Sequence, residues 1–165
     1  MSNDVAAANI LKSNRYLTLA TLGPQGPWAS PLAYTIEPDF TLIFYSAQES
    51  LHCCNISEDP RVSGTVFDSR EPSDTADGIQ FTGRAGVVDE AVLEAVMDRY
   101  FQLSFPEPEV RSRWQRPSTD FVGAAPQRFY RIHIERIYKP DPTSSLVDRR
   151  VELSVENVRA LVSGT

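Results

Sequence analysis

A chain of 165 residues is long enough for one full hydrophobic core and leaves little for a second. Hydrophobic residues at 41% and charged residues at 23% exclude a disordered chain. The net charge of -6, with no local cluster of Lys and Arg, makes nucleic acid and anionic membrane surfaces poor partners.

The elements follow in chain order. Asn3 or Asp4 caps a helix running to about Lys12, with Val5, Ile10 and Leu11 expected inside. The period then changes to two. Residues 15–22 read as a strand on Leu17 and Leu19, and the Gly23–Pro27 stretch turns the chain. Trp28, Ser30, Leu32, Tyr34 and Ile36 share one face of a second strand, with Trp28 expected in the barrel packing. Residues 37–39 turn again, and 40–46 form a dense third strand. Ser46 and Glu49 have capping-box spacing, predicting a helix over 47–57 that Asp59-Pro60 stops.

Residues 61–67 give a fourth strand and 69–77 a polar loop. Residues 78–88 give a fifth strand, in which Gly83 marks a bulge or a close backbone approach. Asp89 caps an amphipathic helix on Val92/Leu93, Val96/Met97 and Tyr100/Phe101. Pro106 and Pro108 end that helix, and residues 109–115 allow one or two more helical turns. Residues 129–139 form a sixth strand, and 154–162 close the chain as a helix with Val155, Val158 and Leu161 inward. Six strands with short connections and no alternating βα units predict a mainly β, six-stranded antiparallel barrel with peripheral helices, one domain over 1–165. A barrel this small is filled by its own side chains, so a large ligand must sit outside it or between subunits. The N-terminus lacks a secretory pattern and no apolar run reaches about 20 residues, so a cytoplasmic protein without a membrane span is expected. Adjacent Cys53 and Cys54 fit a reducing compartment.

Several strings fall in a recognisable order: Leu19-Ala-Thr-Leu22 with Gly26-Pro27, Ser30-Pro-Leu-Ala-Tyr34, Phe44-Tyr-Ser46 with Ser50, and Asn55-Ile56. Asp59-Pro-Arg-Val62 and Gly78-Ile-Gln-Phe-Thr-Gly83 follow. Over residues 15 to 88 the chain resembles the FMN-binding split-barrel family, the pyridoxamine 5′-phosphate oxidase-like proteins. The resemblance implies a split barrel, a homodimer and FMN held in grooves between subunits. It implies that the backbone of Ser30, Pro31, Leu32 and Ala33 lies along the isoalloxazine, and that Ser46, Ser50 and His52 hold the phosphate. Most such proteins carry Lys where this chain has His52, often preceded by Arg where it has Leu51; a small bacterial subgroup is similar at the histidine. The segment after Tyr138 does not match the substrate signatures of true vitamin B6 oxidases, so pyridoxamine 5′-phosphate is not the expected substrate.

Each singled-out residue carries two readings. A helix N-terminus suits an anion, yet Ser46 and Glu49 can equally form a plain capping box. His52, neutral at pH 7, brings a hydrogen bond and no charge. Gln80 either meets the flavin's polar edge or lines the solvent face of its strand. Trp114 either covers a flavin face across the dimer or packs in an interface. Arg84 either supplies the positive charge that Leu51 and His52 lack or belongs to the solvated surface, and His133, on the polar face of the last strand, is structural or solvent-facing. No nucleophile–base–orienter triad stands out, so catalytic residues stay unassigned. Two histidines some 80 residues apart and two adjacent thiols give no metal-ligand spacing. The leading expectation is an FMN-dependent oxidoreductase acting on a small-molecule redox substrate; the alternative is a non-catalytic carrier of flavin or haem, with a deazaflavin reductase third.

Overall fold

In a computed structural model, which describes residues 2–72, 76–141 and 149–164, the period-two runs become one curled antiparallel sheet. Strands β1 (Tyr16–Gly23) and β2 (Gly26–Ala33) pair from Tyr16↔Ala33 to Gly23↔Gly26, closing the predicted hairpin with Gly26 at φ 98°. The expected second strand is not continuous. It breaks at Tyr34 and resumes as β3 (Thr35–Ile36), which pairs with β4 (Thr41–Ala47) instead of β1. Tyr34 makes the bend: its N–H donates to Arg15 C=O at 3.0 Å and its buried hydroxyl to Leu11 C=O at 2.7 Å.

The remaining strands are β5 (Arg61–Phe67), β6 (Gly78–Val87), β7 (Gln127–Pro140) and β8 (Arg150–Leu153). The sheet order is β2-β1-β5-β6-β7-β4-β3, with β8 added on β7. Because β3 continues β2, one bent strand serves both ends of the sheet and curls it into a barrel. There are therefore eight described strands where six were expected. The bend makes two of one, and Arg150–Leu153 is too short for alternation to show. Gly83 meets both expectations. The β6–β7 register shifts between Thr82 and Gly83, and a Cβ there would lie 2.1 Å from the His133 carbonyl oxygen.

The helices cover the ends and one outer face. Helix α1 (Asn3–Ser13) starts at Ser2 rather than Asn3 or Asp4, the Ser2 hydroxyl accepting from Val5 N–H, and it buries Ala7, Ala8 and Leu11. Val5 and Ile10 are only partly covered. Helix α2 (Leu51–Glu58) lies across the barrel's split and sends Cys53 and Ile56 into the core with Leu19, Phe44, Phe81 and Ile132. Helix α3 (Glu90–Ser104), capped by Asp89 as expected, packs Leu93, Met97, Tyr100 and Phe101 on Ile43 and Phe129, outside the barrel. Helix α4 (Pro108–Trp114) buries nothing of its own, and α5 (Val155–Ser163) buries Val158. Leu161, expected inward, is exposed, and Val162 packs against the core in its place. Fully burying one large apolar side chain contributes roughly 1.5–3 kcal/mol, so the barrel core and the outer cluster both stabilise the fold strongly.

Candidate functional site

The predicted capping box does not form. Helix α2 begins at Leu51, with Ser50 as its first flanking residue and no side-chain cap. Ser46 is still in β4, and Glu49 is exposed before the helix. The reason is local. Ser50 N–H donates to Ala47 C=O at 3.1 Å and Gln48 N–H to Pro126 C=O at 2.9 Å, which tie the segment into a turn beside β7. The Ser50 hydroxyl also turns back, donating to Ala47 C=O at 2.8 Å.

His52 then sits at the centre of a hydroxyl cluster drawn from three elements. Its Nε2 lies 2.9 Å from Ser46 Oγ on β4 and 3.1 Å from Ser50 Oγ. Its Nδ1 lies 3.2 Å from Ser30 Oγ on β2. The ring is buried beside Phe44, which itself stacks on Tyr130. The donors can be assigned. Ser50 spends its hydrogen on Ala47, so towards His52 Nε2 it can only accept, which fits a tautomer whose Nε2–H is shared with the nearer Ser46 oxygen and whose Nδ1 accepts from Ser30. Ser30 in turn accepts from Trp28 Nε1–H at 3.0 Å. Burial lowers the His52 pKa from its ordinary value, in keeping with a neutral ring. Trp28, expected in the barrel packing, is 47% exposed, because only its ring nitrogen reaches the cluster.

Two further features place α2. Asn55 Nδ2 donates to Thr21 Oγ1 at 3.0 Å, and Gly23 leaves room for it: a Cβ at Gly23 would lie 1.9 Å from Asn55 Oδ1. The charge opposite the cluster is Arg128, in register with Ser46, and its guanidinium donates to the carbonyls of Gly123, Ala125 and Gln127.

The other end of β2 opens on a different surface. A cleft of about 710 Å³ lies between α1, β3 and α3, walled by Ala33, Tyr45, Arg99, Tyr100, Phe105 and Trp114. Trp114 is 53% exposed and stacks on Phe105 at 5.6 Å and 5°. Buried Glu37 holds Arg99 through Oε2 at 3.0 Å, while Glu37 Oε1 and Thr35 Oγ1 have no partner among the described residues. Burial raises the Glu37 pKa and the Arg99 charge opposes it. Lys12 and Arg15 also line the cleft, and neither forms an ion pair among the described residues.

The structure thus sorts the sequence-predicted residues into groups. Ser30, Ser46, Ser50 and His52 come together at the split; Ala33 and Trp114 share the cleft. Leu32 is half-buried against the core, and Pro31 is exposed between the two groups. Gln80 belongs to neither. It is exposed on β6, three strands along from β2, where Arg150 Nη1 donates to its Oε1 at 3.4 Å. Sequence reading missed Thr35, Glu37, Tyr45 and Arg99; a Glu beside a turn proline and an Arg on a helix carry no signal of their own. Among the described residues no three His, Cys, Asp or Glu side chains gather as a metal site. No described helix is long and apolar enough to cross a membrane.

Closure of a curled sheet by one bent strand, with a helix across the opening, defines the split-barrel class. Within it the chain belongs to the pyridoxamine 5′-phosphate oxidase family, whose model matches residues 4–139. Similar solved structures include a protein of unknown function from Agrobacterium tumefaciens (25% identity, 90% of this chain and 60% of that one, TM-score 0.67). A heme binding protein from Mycobacterium smegmatis is 18% identical over 97% of this chain and 61% of its own, with TM-score 0.69. An FAD-binding protein from Mesorhizobium loti is 21% identical over 93% and 96%, with TM-score 0.64. The chain spans only about 60% of the length of the Agrobacterium protein. No curated protein sequence matches.

Proposed function

We propose that the protein is a flavin-dependent oxidoreductase that works as a homodimer on a small-molecule redox substrate. The observation that carries this reading is the gathering of Ser30, Ser46, Ser50 and His52, the residues that the resemblance assigns to the flavin, from β2, β4 and α2. The flavin's phosphate end meets Ser46 and the start of α2, and its ring lies along β2 towards Ala33. Ser30 and Ala33 lie three strand steps apart, about 10 Å. FMN is the form that the resemblance implies. The flavin supplies electron transfer when bound; the chain's own residues bind and orient it, and Tyr45, Phe105 and Trp114 give the cleft beside it an aromatic wall.

The dimer reading is supported by the outer face of β1, β2 and β5. Tyr16, Leu22 and Phe67 are large and exposed there, among the small exposed residues Ala29 and Pro31. The register pairs Thr18 with Thr65, so Tyr16 and Phe67 stand side by side. Haem is the weaker reading, because both ring nitrogens of His52 are already engaged by hydroxyls.

Native mass spectrometry with an absorption spectrum of the protein as purified tests the whole reading. A dimer carrying flavin mass and a flavin band is expected. A Soret band, or a colourless protein that takes up no added flavin, overturns the cofactor assignment; a monomer at micromolar concentration overturns the intersubunit groove.

A further inference from the structure

The cleft between α1, β3 and α3 carries chemistry that flavin binding leaves unused. Lys12, Arg15 and Arg99 line it. Lys12 and Arg15 form no ion pair among the described residues. Arg99 turns its Nε to Glu37 at 3.0 Å, which leaves the outer edge of the guanidinium, Nη1 and Nη2, to face a planar acceptor. The backbone around these cations has the opposite sign. The last turn of α1, ending at Ser13, and the end of α3 at Ser104 both line the cleft, and each helix C-terminus brings about half a negative charge. Glu37 adds a full one behind Arg99. About one positive charge remains, which suits a monoanion and not a phosphate dianion.

The apolar wall is as specific. Phe101, Phe105 and Trp114 form a run of stacked rings, at 6.4 Å and 19° and then at 5.6 Å and 5°. The run ends at Trp114, which lines the cleft and is half-exposed, so one more planar ring extends it. On the β3 wall Thr35 is only 6% exposed, and its Oγ1 has no partner among the described residues. Such a hydroxyl is stabilised by any ligand oxygen that accepts its hydrogen. At about 710 Å³ the cleft has the size of a small-molecule site. Resting on the flavin reading above, we propose that this cleft takes the substrate, and that the substrate class is an aromatic monocarboxylate. Its ring lies on Trp114, and its carboxylate meets the Arg99 edge and the Thr35 hydroxyl. Glu37 is the positioning residue that holds Arg99.

Calorimetric titration of the flavin-loaded protein at pH 8 with 2-naphthoate, its neutral amide, 2-naphthyl phosphate and hexanoate decides it. The naphthoate is expected to bind at least tenfold more tightly than each of the other three. A smaller margin over any one overturns the proposal: the amide tests the charge, the phosphate the single charge, and hexanoate the ring. Arg99→Gln is expected to weaken naphthoate at least tenfold and to leave the amide unchanged. Arg15→Gln, an exposed change that breaks no ion pair among the described residues, should weaken it about threefold, and it decides the point if Arg99→Gln does not fold. Unchanged naphthoate affinity in the deciding variant overturns the proposal. Naphthoate that fails to bind protein carrying flavin overturns it too and leaves the flavin reading standing. A protein that takes up no flavin overturns the substrate role together with that reading, whatever naphthoate does.

Discussion

The two ends of β2 meet different chemistry. At Ser30 the strand enters a closed cluster in which hydroxyls and an imidazole satisfy one another without charge. At Ala33 it enters an open cleft lined by three cations, Lys12, Arg15 and Arg99, and by Thr35, whose buried Oγ1, like Oε1 of the Glu37 that holds Arg99, has no partner among the described residues. A satisfied network is rigid and preorganised, whereas unpartnered buried oxygens cost free energy until something hydrogen-bonds them. Positioning is concentrated at the first end and adaptability at the second, so the two should respond differently to mutation and pH.

The largest expected effect is at the closed end. Phe44, fully buried beneath His52 and stacked on Tyr130, should cost about 3–5 kcal/mol when cut to alanine. Urea unfolding measures this; a loss under about 1 kcal/mol would show that the cluster does not rest on the barrel core. His52→Ala comes next. It leaves the Ser30 and Ser46 hydroxyls short of a buried partner, at about 1–3 kcal/mol, with weaker flavin binding. The histidine also gives a pH signature. Because its folded pKa lies below the ordinary 6.5, the folded state resists protonation that the unfolded chain accepts. Its contribution is full above 6.5 and is lost as pH falls towards the lower folded value. The wild type should therefore lose stability over that window and His52→Ala should not; parallel curves would break the assignment of a neutral ring.

At the open end the effects shrink. Trp114→Ala removes a half-exposed stack on Phe105 and should cost about 0.5–1.5 kcal/mol, while changing substrate-side binding more than folding. Thermal melts beside ligand titrations separate the two; a larger loss of fold than of binding would make Trp114 a packing residue. Glu37→Gln should be smallest near neutral pH, at most about 1 kcal/mol, since the variant keeps a hydrogen-bond acceptor for Arg99. Its sign with pH is opposite to that of His52. A carboxyl with a raised folded pKa stabilises below its ordinary value of 4.5, and that contribution is lost as pH rises through the raised one. Glu37→Gln should flatten this slope, and an unchanged acid limb would show that Glu37 stays ionised throughout.

Legibility in the sequence followed the range of the interactions. Alternation along 15–22, 61–67 and 129–139, and the dense apolar run 40–46, revealed strands, because such patterns are a property of the segment itself. The helical stripe from Leu93 to Phe101 and its Asp89 cap were equally local. Ser46, Ser50 and His52 stood out as a short string within a family pattern. That Ser30 bonds to His52, 22 positions away, was not readable, since nothing in either neighbourhood encodes a hydrogen bond across a barrel's split. The late start of α2 was hidden for the same reason: its turn is set by Pro126, far along the chain.

The sequence by itself determined a mainly β chain, the Asp89 cap of α3, the close approach at Gly83 and the string that carries the candidate phosphate end. Tertiary structure decided the rest. Tyr34 bends one strand into two by bonding to Arg15 and Leu11, Trp28 is left outside, and Glu37 meets Arg99 at the edge of the cleft. Local periodicity records which side of a segment avoids water, and it carries no record of which distant polar group will satisfy a buried hydrogen bond. That choice exists only once the barrel has closed.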